Sequence, residues 1–395
     1  MSSSSVPAPM HAELIAIGSE LLLGEIADTN SAQIARQLRT IGLEVARISA
    51  IGDDVDAIAG LVREAAARAP IVITTGGLGP TVDDPTREAV ARAFGRELEF
   101  RPELWDQITA RFRKFGRTPT ANNRLQAHIP AGALPVENPV GTAPAFIVEH
   151  AAGVVASLPG VPREMEYLLA HTLLPYLRRR FDLTGVLKAR ILRTVGLGES
   201  LIDEKIGELE KLANPRVGLA AHAGQVDVRI SAKAAGEAEA DALIAPVEAQ
   251  VRAALGEFIF AEGQASLEEV VTNLLAERGL SLAVAEAGSD GRLNARLAVL
   301  PLAAQVYRGA LPLADGHAPA EAAALVRAER GAGFGLAVRV TRAADQQTIE
   351  IALADGRTAE TRTQGYGGPP AYLGQWASTA GLNLLRLRLL RGPAA

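Results

Sequence analysis

Cysteine is absent from the chain, which excludes disulfides, cysteine-ligated zinc and a thiol nucleophile, and which fits a reducing cytosol. The sequence also lacks a basic excess. Its formal net charge is −5 with both signs interspersed, so nucleic acid is not an expected partner. No stretch approaches the ~18 apolar residues of a membrane span. Residues 1–10 lack the basic and apolar regions of a signal peptide, and they are predicted to form a disordered leader. We therefore expect a cytoplasmic protein with no membrane partner.

The length and the apolar content predict more than one domain. The chain has 395 residues, of which 48% are hydrophobic, enough for two to four domain cores. Short apolar segments alternate with amphipathic ones in the first part of the chain. This β-α-β-α-β-α order predicts an α/β fold with a parallel sheet and helices on both faces. The loops at Gly18, Gly52 and Gly76 then lie at carboxyl ends of strands, where ligands collect.

A glycine-rich loop follows the third predicted strand, at residues 70–74. Gly76, Gly77 and Gly79 allow backbone N–H groups to approach an anion closely. The pattern of a buried strand followed by this loop indicates a phosphate site. Glycines at the end of a strand also serve simple turns, and a single glycine-rich loop does not separate the two interpretations.

Two carboxylates, Asp83 and Asp84, come shortly after the glycines. Asp84 followed by Pro85 predicts a helix N-cap with proline at the first helical position, so that a helix N-terminus faces the loop. Bare carboxylates weaken phosphate binding. A divalent cation such as Mg²⁺ between them and the phosphates reconciles the charges. The open alternative is that Asp84 is only a cap and Asp83 a solvated loop residue.

Amide side chains stand in two later segments of irregular sequence. Asn122 and Asn138 lie in such segments, and the second of them contains Gly141 and Thr142. Side-chain amides suit the hydroxyl groups of a ribose or the edge of a base. Turn chemistry in a surface loop is the alternative interpretation for each asparagine.

Several ordered motifs carry a family resemblance. They are Gly18–Gly24, Asp28–Asn30, Thr75–Asp84, Gly141–Pro144 and Leu158–Pro162. Together they resemble the competence/damage-inducible protein CinA family. The first domain of that family is similar to the molybdopterin-binding MogA/MoaB fold. In characterised members it hydrolyses ADP-ribose to AMP and ribose 5-phosphate with a divalent metal, which implies Mg²⁺ or Mn²⁺ here. One departure is Ala145, where the family usually has glycine.

The resemblance and the loop chemistry together imply a role for each residue of the first site. Asp83 and Asp84 are the implied catalytic residues and metal ligands, with the metal activating water and neutralising charge on the phosphoryl oxygens. The implied diphosphate contacts are Gly76, Gly77, Gly79 and Thr81. The other implied substrate-binding residues are Gly18, Ser19, Glu20, Asn30, Asp53, Asn122, Asn138, Gly141 and Thr142.

The resemblance continues along the chain and predicts three domains. Residues 11–182 are expected to form the MogA/MoaB-like pyrophosphatase domain, residues 186–262 a small KH-type α+β connector, and residues 266–395 a deamidase-like α/β domain. The connector lacks a clear basic aromatic surface, so we expect a spacer or dimerisation role rather than nucleic-acid binding. The expected assembly is a homodimer.

The last predicted domain departs from its family. CinA proteins usually carry a nicotinamide-mononucleotide deamidase with the motif Ala-Glu-Ser-Cys-Thr-Gly-Gly, whose serine is the nucleophile. The corresponding run here is Ala285–Gly291, and Ala287 at the nucleophile position has no heteroatom. The family's tyrosine and lysine fall on Leu313 and Ala318, and its glycine-rich loop falls on residues 339–344 without a glycine. We expect a folded domain that has lost this activity.

Two other classes of function stay open at the level of sequence. The first domain is also compatible with a module that holds molybdopterin or a related pterin without cleaving it. The whole chain is also compatible with an interaction protein in competence or DNA repair, as the family's name indicates.

Overall fold

The structure is a computed structural model that describes residues 10–313, 316–342 and 347–391. By its internal contacts the chain divides into two compact units. The first contains the described residues up to Lys188 together with Lys233–Ala240, and the second contains Ala189–Ala232 and the chain from Asp241 onward. The predicted leader lies outside the described residues, apart from Met10. The division into three domains stays a prediction.

Short apolar strands alternate with amphipathic helices in the first unit. Asp28 caps the second helix, because its side chain accepts a hydrogen bond from the N–H of Ser31 at 2.9 Å. The elements run in chain order as β1 (His11–Ile17), α1 (Ser19–Leu22), α2 (Thr29–Arg39), β2 (Glu44–Ile51), α3 (Val55–Arg68), β3 (Ile71–Thr75), α4 (Thr86–Ala93), β4 (Leu98–Phe100), α5 (Pro102–Lys114), β5 (His128–Pro130), β6 (Leu134–Val136), β7 (Ala145–His150), β8 (Gly153–Leu158), α6 (Pro162–Leu168) and α7 (Leu174–Phe181).

The main sheet of this unit has the strand order β2-β1-β3-β8-β7-β6. Strand β1 pairs in parallel with β2 and β3, and β3 pairs in parallel with β8. Strand β7 is antiparallel to both β8 and β6. The parallel pairing predicted for the first three strands is confirmed, and the sheet becomes antiparallel at the edge that β7 and β6 form. The physical reason is the tight turn between His150 and Gly153, because a connection this short joins only antiparallel neighbours.

Apolar residues fill both faces of the sheet. Along β1, Leu14 packs into a cluster that includes Ile34 of α2, whereas Ile15 packs into a separate cluster that includes Ile58 of α3. Adjacent residues of a strand point to opposite faces, so the two clusters lie on opposite sides of the sheet. The predicted layers of helices on both faces are confirmed.

The second unit contains two sheets. The elements after α7 are β9 (Val186–Val195), α8 (Glu199–Glu210), β10 (Arg216–His222), β11 (Gln225–Ala234), α9 (Glu237–Leu255), β12 (Ile259–Glu262), α10 (Leu267–Glu277), β13 (Leu282–Ala287), α11 (Arg292–Ala298), α12 (Ala303–Val306), β14 (Tyr307–Pro312), α13 (Pro319–Glu329), β15 (Phe334–Arg342), β16 (Gln347–Ala354), β17 (Ala359–Tyr366) and α14 (Pro370–Arg391). One sheet has the strand order β10-β11-β9-β12, and the other has the order β14-β13-β15-β16-β17. Across the described ranges, no helix combines the length and the apolar content that crossing a bilayer requires.

Candidate functional site

A pocket of about 510 Å³ lies at the carboxyl ends of the first unit's parallel strands. Strands β1 and β3 are neighbours, so the loops at Gly18 and Gly76 that follow them meet at this edge, as predicted. The volume is in the range of about 300–1,000 Å³ that small-molecule sites occupy. The predicted site residues that line the pocket are Gly18, Glu20, Asn30, Asp53, Gly76, Gly77, Gly79, Asp83, Asp84 and Thr142.

The glycine loop packs between the carboxyl ends of β1 and β8. Gly76 has φ +104°, and a Cβ added there would lie 2.1 Å from the carbonyl oxygen of Ile17 at the end of β1. Its N–H donates to the carbonyl of Leu158 at the end of β8 at 3.1 Å, and its own carbonyl accepts from Oγ1 of Thr86 at 2.8 Å. Only glycine fits this conformation and this close approach.

We expect Gly76→Ala to destabilise the protein by about 2–5 kcal/mol, because the added methyl group meets backbone atoms in a strained conformation. Gly95→Ala is the matched control. Gly95 also has positive φ, but no atom lies within 4 Å of its added Cβ, so its cost should be only about 1–2 kcal/mol. Urea unfolding of both variants measures the difference. Equal losses would show that the loop tolerates a side chain at Gly76.

Asp84 has a different role from the predicted N-cap. Its Oδ1 accepts the N–H of Gly79 at 2.7 Å, and its Oδ2 accepts the N–H and Oγ1–H of Thr81 at 2.9 and 2.5 Å. Helix α4 instead begins at Thr86. The residue before it is Pro85, and no side chain caps the helix there. The N-cap prediction is wrong because the carboxylate turns back to two loop amides that otherwise have no partner. Asp84 therefore fixes the shape of the glycine loop.

Arg87, which was not among the predicted site residues, also stabilises the glycine loop. This buried guanidinium donates to the carbonyls of Leu78 and Gly79 at 2.7 and 2.5 Å. Burial lowers the pKa of Arg87 to about 10, and the charge of Asp84 opposes that shift. In a trans peptide the C=O and the N–H point in opposite directions. Because Arg87 binds the carbonyl of Leu78 on one side, the N–H of Gly79 in the same peptide points towards Asp84 on the other. No local pattern in the sequence indicated this contact.

Two backbone donors of the loop remain for a ligand. Among the described residues, no acceptor pairs with the N–H of Gly77 or Leu78, and both residues line the pocket. The N–H groups of Gly79 and Thr81 are occupied by Asp84 in this structure. Contacts of Gly79 and Thr81 with a diphosphate stay predictions, whereas Gly77 has its donor available.

Asn30 joins the glycine loop to the opposite wall. Its Nδ2 donates to Oγ1 of Thr75 at 3.0 Å and to the carbonyl of Gly160 at 2.8 Å. A Cβ added at Gly160 would lie 3.3 Å from the Cα of Gly76, so the two segments touch. Both amide hydrogens of Asn30 therefore bind protein groups, and ligand binding by Asn30 stays a prediction.

Ser19 fixes the position of the Asp53 carboxylate by hydrogen bonds. The N–H and the hydroxyl of Ser19 both donate to Oδ2 of Asp53, at 2.9 and 2.6 Å. Asp53 and the exposed Glu20 line the pocket, whereas Ser19 does not. The prediction that these segments meet is confirmed, and Ser19 acts there by positioning a carboxylate.

The predicted amides occupy unequal positions. Asn138 is fully buried, and its Nδ2 donates to Oε2 of Glu164 at 2.6 Å. Asn122 is exposed at the start of a short 3₁₀ turn and does not line the pocket, whereas Gln126 of the same turn does. The prediction for Asn122 selected the right segment but the wrong side chain, since the turn points Gln126 inward. Glu164 and Gln126 are pocket residues that the sequence analysis missed.

The donor set at Asp83 and Asp84 is compatible with a divalent ion that arrives with phosphate. Hydrogen bonds from Thr81 and from its own backbone N–H hold the pKa of exposed Asp83 below its usual value, so its carboxylate is ionised. Oδ1 of Asp84 accepts one hydrogen bond, which leaves one lone-pair site. The described residues contain no group of three carboxylate or histidine side chains that could hold a metal ion. Mg²⁺ commonly binds one or two carboxylates together with substrate phosphates, and the pair fits that mode.

Two of the positions that the resemblance assigns to the deamidase motif, Ala287 and Leu313, lie at the end of β13. Ala287 is the last residue of that strand, and Leu313 follows β14 with its N–H donating to the carbonyl of Glu286 at 2.8 Å. Ala318 precedes α13. Residues 314 and 315 of the tyrosine-to-lysine segment, and residues 343 and 344 of the predicted loop, lie outside the described residues. Arg339 to Arg342 continue β15 as a strand.

Comparisons with known proteins agree with this architecture. The family model described as "Probable molybdopterin binding domain" matches residues 13–179, and the model "Damage-inducible protein CinA KH domain" matches residues 189–261. A CinA-like protein of Frankia casuarinae is 39% identical over 421 residues, which covers 97% of each chain. Solved structures that are similar include CinA from Thermoplasma acidophilum, with 36% identity, TM-score 0.39 and coverage of 43% and 96% of the two chains. MoaB from Thermus thermophilus has 22% identity, TM-score 0.31 and coverage of 44% and 95%.

The fold and the matched models define a class: an α/β protein with a molybdopterin-binding-like N-terminal domain of the MogA/MoaB type followed by a KH-like domain. The relative from Frankia casuarinae matches nearly the full length of both chains. The chain belongs to the CinA family of competence/damage-inducible proteins.

Proposed function

We propose that the N-terminal domain hydrolyses the diphosphate of ADP-ribose to AMP and ribose 5-phosphate with Mg²⁺ or Mn²⁺. The observation that carries this proposal is that Gly77 and Leu78, whose N–H groups have no acceptor among the described residues, line the same pocket as Asp83 and Asp84. Backbone donors suit phosphate oxygens, and adjacent carboxylates suit the cation that accompanies them. Membership of the CinA family supports the choice of ADP-ribose within the wider class of diphosphates.

The residues divide the work between binding and charge. The N–H groups of Gly77 and Leu78 donate to the diphosphate, and Arg87 and Asp84 keep the loop in the shape that presents them. Asp83 and Oδ1 of Asp84 would hold the divalent ion, which when bound supplies positive charge against the charge that develops on the phosphoryl oxygens. Because the donors are fixed before substrate arrives, little reorganisation is needed during the reaction.

Product analysis tests this function. Purified protein is incubated with ADP-ribose and, separately, with related dinucleotides, with Mg²⁺, with Mn²⁺ and with a chelator, and nucleotides are separated by ion-exchange chromatography. We expect AMP from ADP-ribose only when a divalent ion is present. ADP-ribose that stays intact with either metal would contradict the proposal.

A second candidate function is storage of a pterin without cleavage. The matching family model is described as a molybdopterin-binding domain, which favours a ligand with a phosphate and a planar ring in the same pocket. This function needs the anion-binding loop but no turnover. A pterin retained by the purified protein, together with no AMP formation in the assay above, would support it over hydrolysis.

We also propose that the chain forms a homodimer. The KH-like domain and the deamidase-like part have no evident chemistry of their own, and assembly is a reason for both to persist. Multi-angle light scattering at micromolar concentration should give twice the mass of one chain. The mass of a single chain under these conditions would remove assembly as their role.

A further inference from the structure

Glu164 also lines the pocket, but it belongs neither to the glycine loop nor to the pair Asp83 and Asp84. It lies in the first turn of α6 and lines the pocket on the wall of Gly160, the residue that touches Gly76. It is half-buried. Glu164 is therefore a carboxyl near the glycine loop that is partly withdrawn from water.

The position of this carboxyl is built by other segments. Asn138 donates to its Oε2 at 2.6 Å and to the carbonyl of Ala143 at 2.9 Å. Gln107 in turn fixes the backbone of Asn138 on both sides, with hydrogen bonds of 2.7 and 3.0 Å. A Cβ added at Gly141 would lie 1.9 Å from Cδ of Glu164, so the carboxyl packs directly against backbone. Such a network holds one orientation of a side chain.

Its environment differs from that of Asp83. Burial raises the pKa of Glu164, and this effect exceeds the opposing hydrogen bonds from Asn138 and Ala143 and the charges of Arg111 on α5 and Arg163 on α6. The hydrogen bonds to Asp83 lower the pKa of that carboxyl instead. When the environments of two carboxyls in one site shift their pKa values in opposite directions, one of them usually acts as the acid or base and the other stays charged.

The aspartates that line the pocket hold backbone or side-chain groups of other segments in place. Asp84 holds the glycine loop with both oxygens, Asp53 accepts two hydrogen bonds from Ser19, and Asp28 caps α2. Glu20 is exposed to solvent. Glu164 combines a fixed position with a shifted proton affinity.

We infer that Glu164 is the general base that accepts a proton from the attacking water in the proposed hydrolysis. The water oxygen forms a bond to one phosphorus as its proton passes to the carboxylate of Glu164. The bond between that phosphorus and the bridging oxygen breaks, and the bridging oxygen leaves on the second phosphate. AMP and ribose 5-phosphate are released, and Glu164 returns the proton to solvent. This inference rests on the proposed function.

The test compares Glu164→Gln with Glu166→Gln, an exposed glutamate on the same helix. Glutamine keeps the size of the side chain and an acceptor for Asn138, so the fold should survive. We expect Glu164→Gln to lose about 10²–10⁴-fold in kcat, the usual contribution of a general base, with KM and the Kd for ADP-ribose unchanged. The acid limb of the pH–rate profile should disappear in this variant and remain in Glu166→Gln. Glu164→Asp, which keeps an ionisable carboxyl, should restore that limb with reduced kcat.

The outcomes separate the two claims. Wild-type kcat in Glu164→Gln, or an unchanged acid limb, would overturn the role of Glu164 while hydrolysis by the wild type still stood. A large rise in KM at constant kcat would overturn it as well, since Glu164 would then serve substrate binding. If the wild type itself released no AMP, the proposed function would fail, and the role of Glu164 with it.

Discussion

Asp84→Ala should reduce metal-dependent AMP release by about 10²–10³-fold, the scale on which removal of a preorganised electrostatic group acts, while the protein stays folded. The substitution removes an implied metal ligand. It also releases the N–H groups of Gly79 and Thr81, so the loop loses the anion around which it is shaped. Both effects act on the same step, where charge develops on the phosphate.

The cost in stability should be small by comparison. Asp84 accepts three hydrogen bonds at a partly exposed position, and their loss should cost about 1–3 kcal/mol, too little to unfold a large α/β domain. Asp56→Ala is the matched control, because Asp56 is an exposed aspartate of α3 whose partner is Arg92. Thermal unfolding followed by circular dichroism and the AMP assay are run on both variants. A folded Asp84→Ala variant with the wild-type rate would refute the proposed role of this carboxylate.

The full-length chain should not release ammonia from nicotinamide mononucleotide, although its family would lead one to expect that activity. Amide hydrolysis by a nucleophile needs an activated hydroxyl, a group that takes its proton and donors for the oxyanion. Ala287 supplies no hydroxyl. Ser289 does not replace it, since this serine is fully buried and its Oγ donates to Oε2 of Glu286 at 2.7 Å.

The surroundings of Ala287 point the same way. Glu286 accepts the N–H groups of Leu293 and Asn294 at the start of α11, so its carboxylate is part of a structural cap. Leu313 is buried and apolar. The residues from Arg339 to Arg342 pair with β16 as a regular strand and present no glycine-rich loop there. Ala287→Ser should therefore stay inactive, because the parts of a catalytic unit act together.

Ammonia release from nicotinamide mononucleotide, measured with a coupled enzyme, tests this expectation. Wild type and Ala287→Ser are compared with an active member of the family under the same conditions. Both proteins should stay at the level of the blank. Clear turnover by the wild type would show that the assignment of Ala287 to the nucleophile position is wrong.

Local patterns in the sequence were sufficient for most of the first unit's elements. The alternation of apolar and amphipathic segments gave the order of the first strands and helices, and β3 is the buried strand predicted before the glycine loop. The orientation of β7 was not predictable from apolar content, because a strand has the same composition in either direction. The tight turn before Gly153 was the missing signal.

The candidate site was predictable only where chain order and sheet order coincide. Gly18 and Gly76 follow neighbouring parallel strands, so their meeting follows from topology. Arg87 and Glu164 were missed because each depends on packing that no local pattern encodes. Asp84 was misjudged for a related reason: an aspartate before proline has the composition of a cap, but competition between the helix end and the loop amides decides which one it binds.

Cleavage of a diphosphate in this pocket can be followed by ³¹P NMR of ADP-ribose in the presence of the purified protein and Mg²⁺. We expect the two diphosphate resonances to disappear and two monoester resonances, those of AMP and ribose 5-phosphate, to grow in equal amounts. We also expect a chelator to stop the conversion. If the diphosphate resonances stay unchanged while controls show that the added metal is active, cleavage of a diphosphate in this pocket is contradicted.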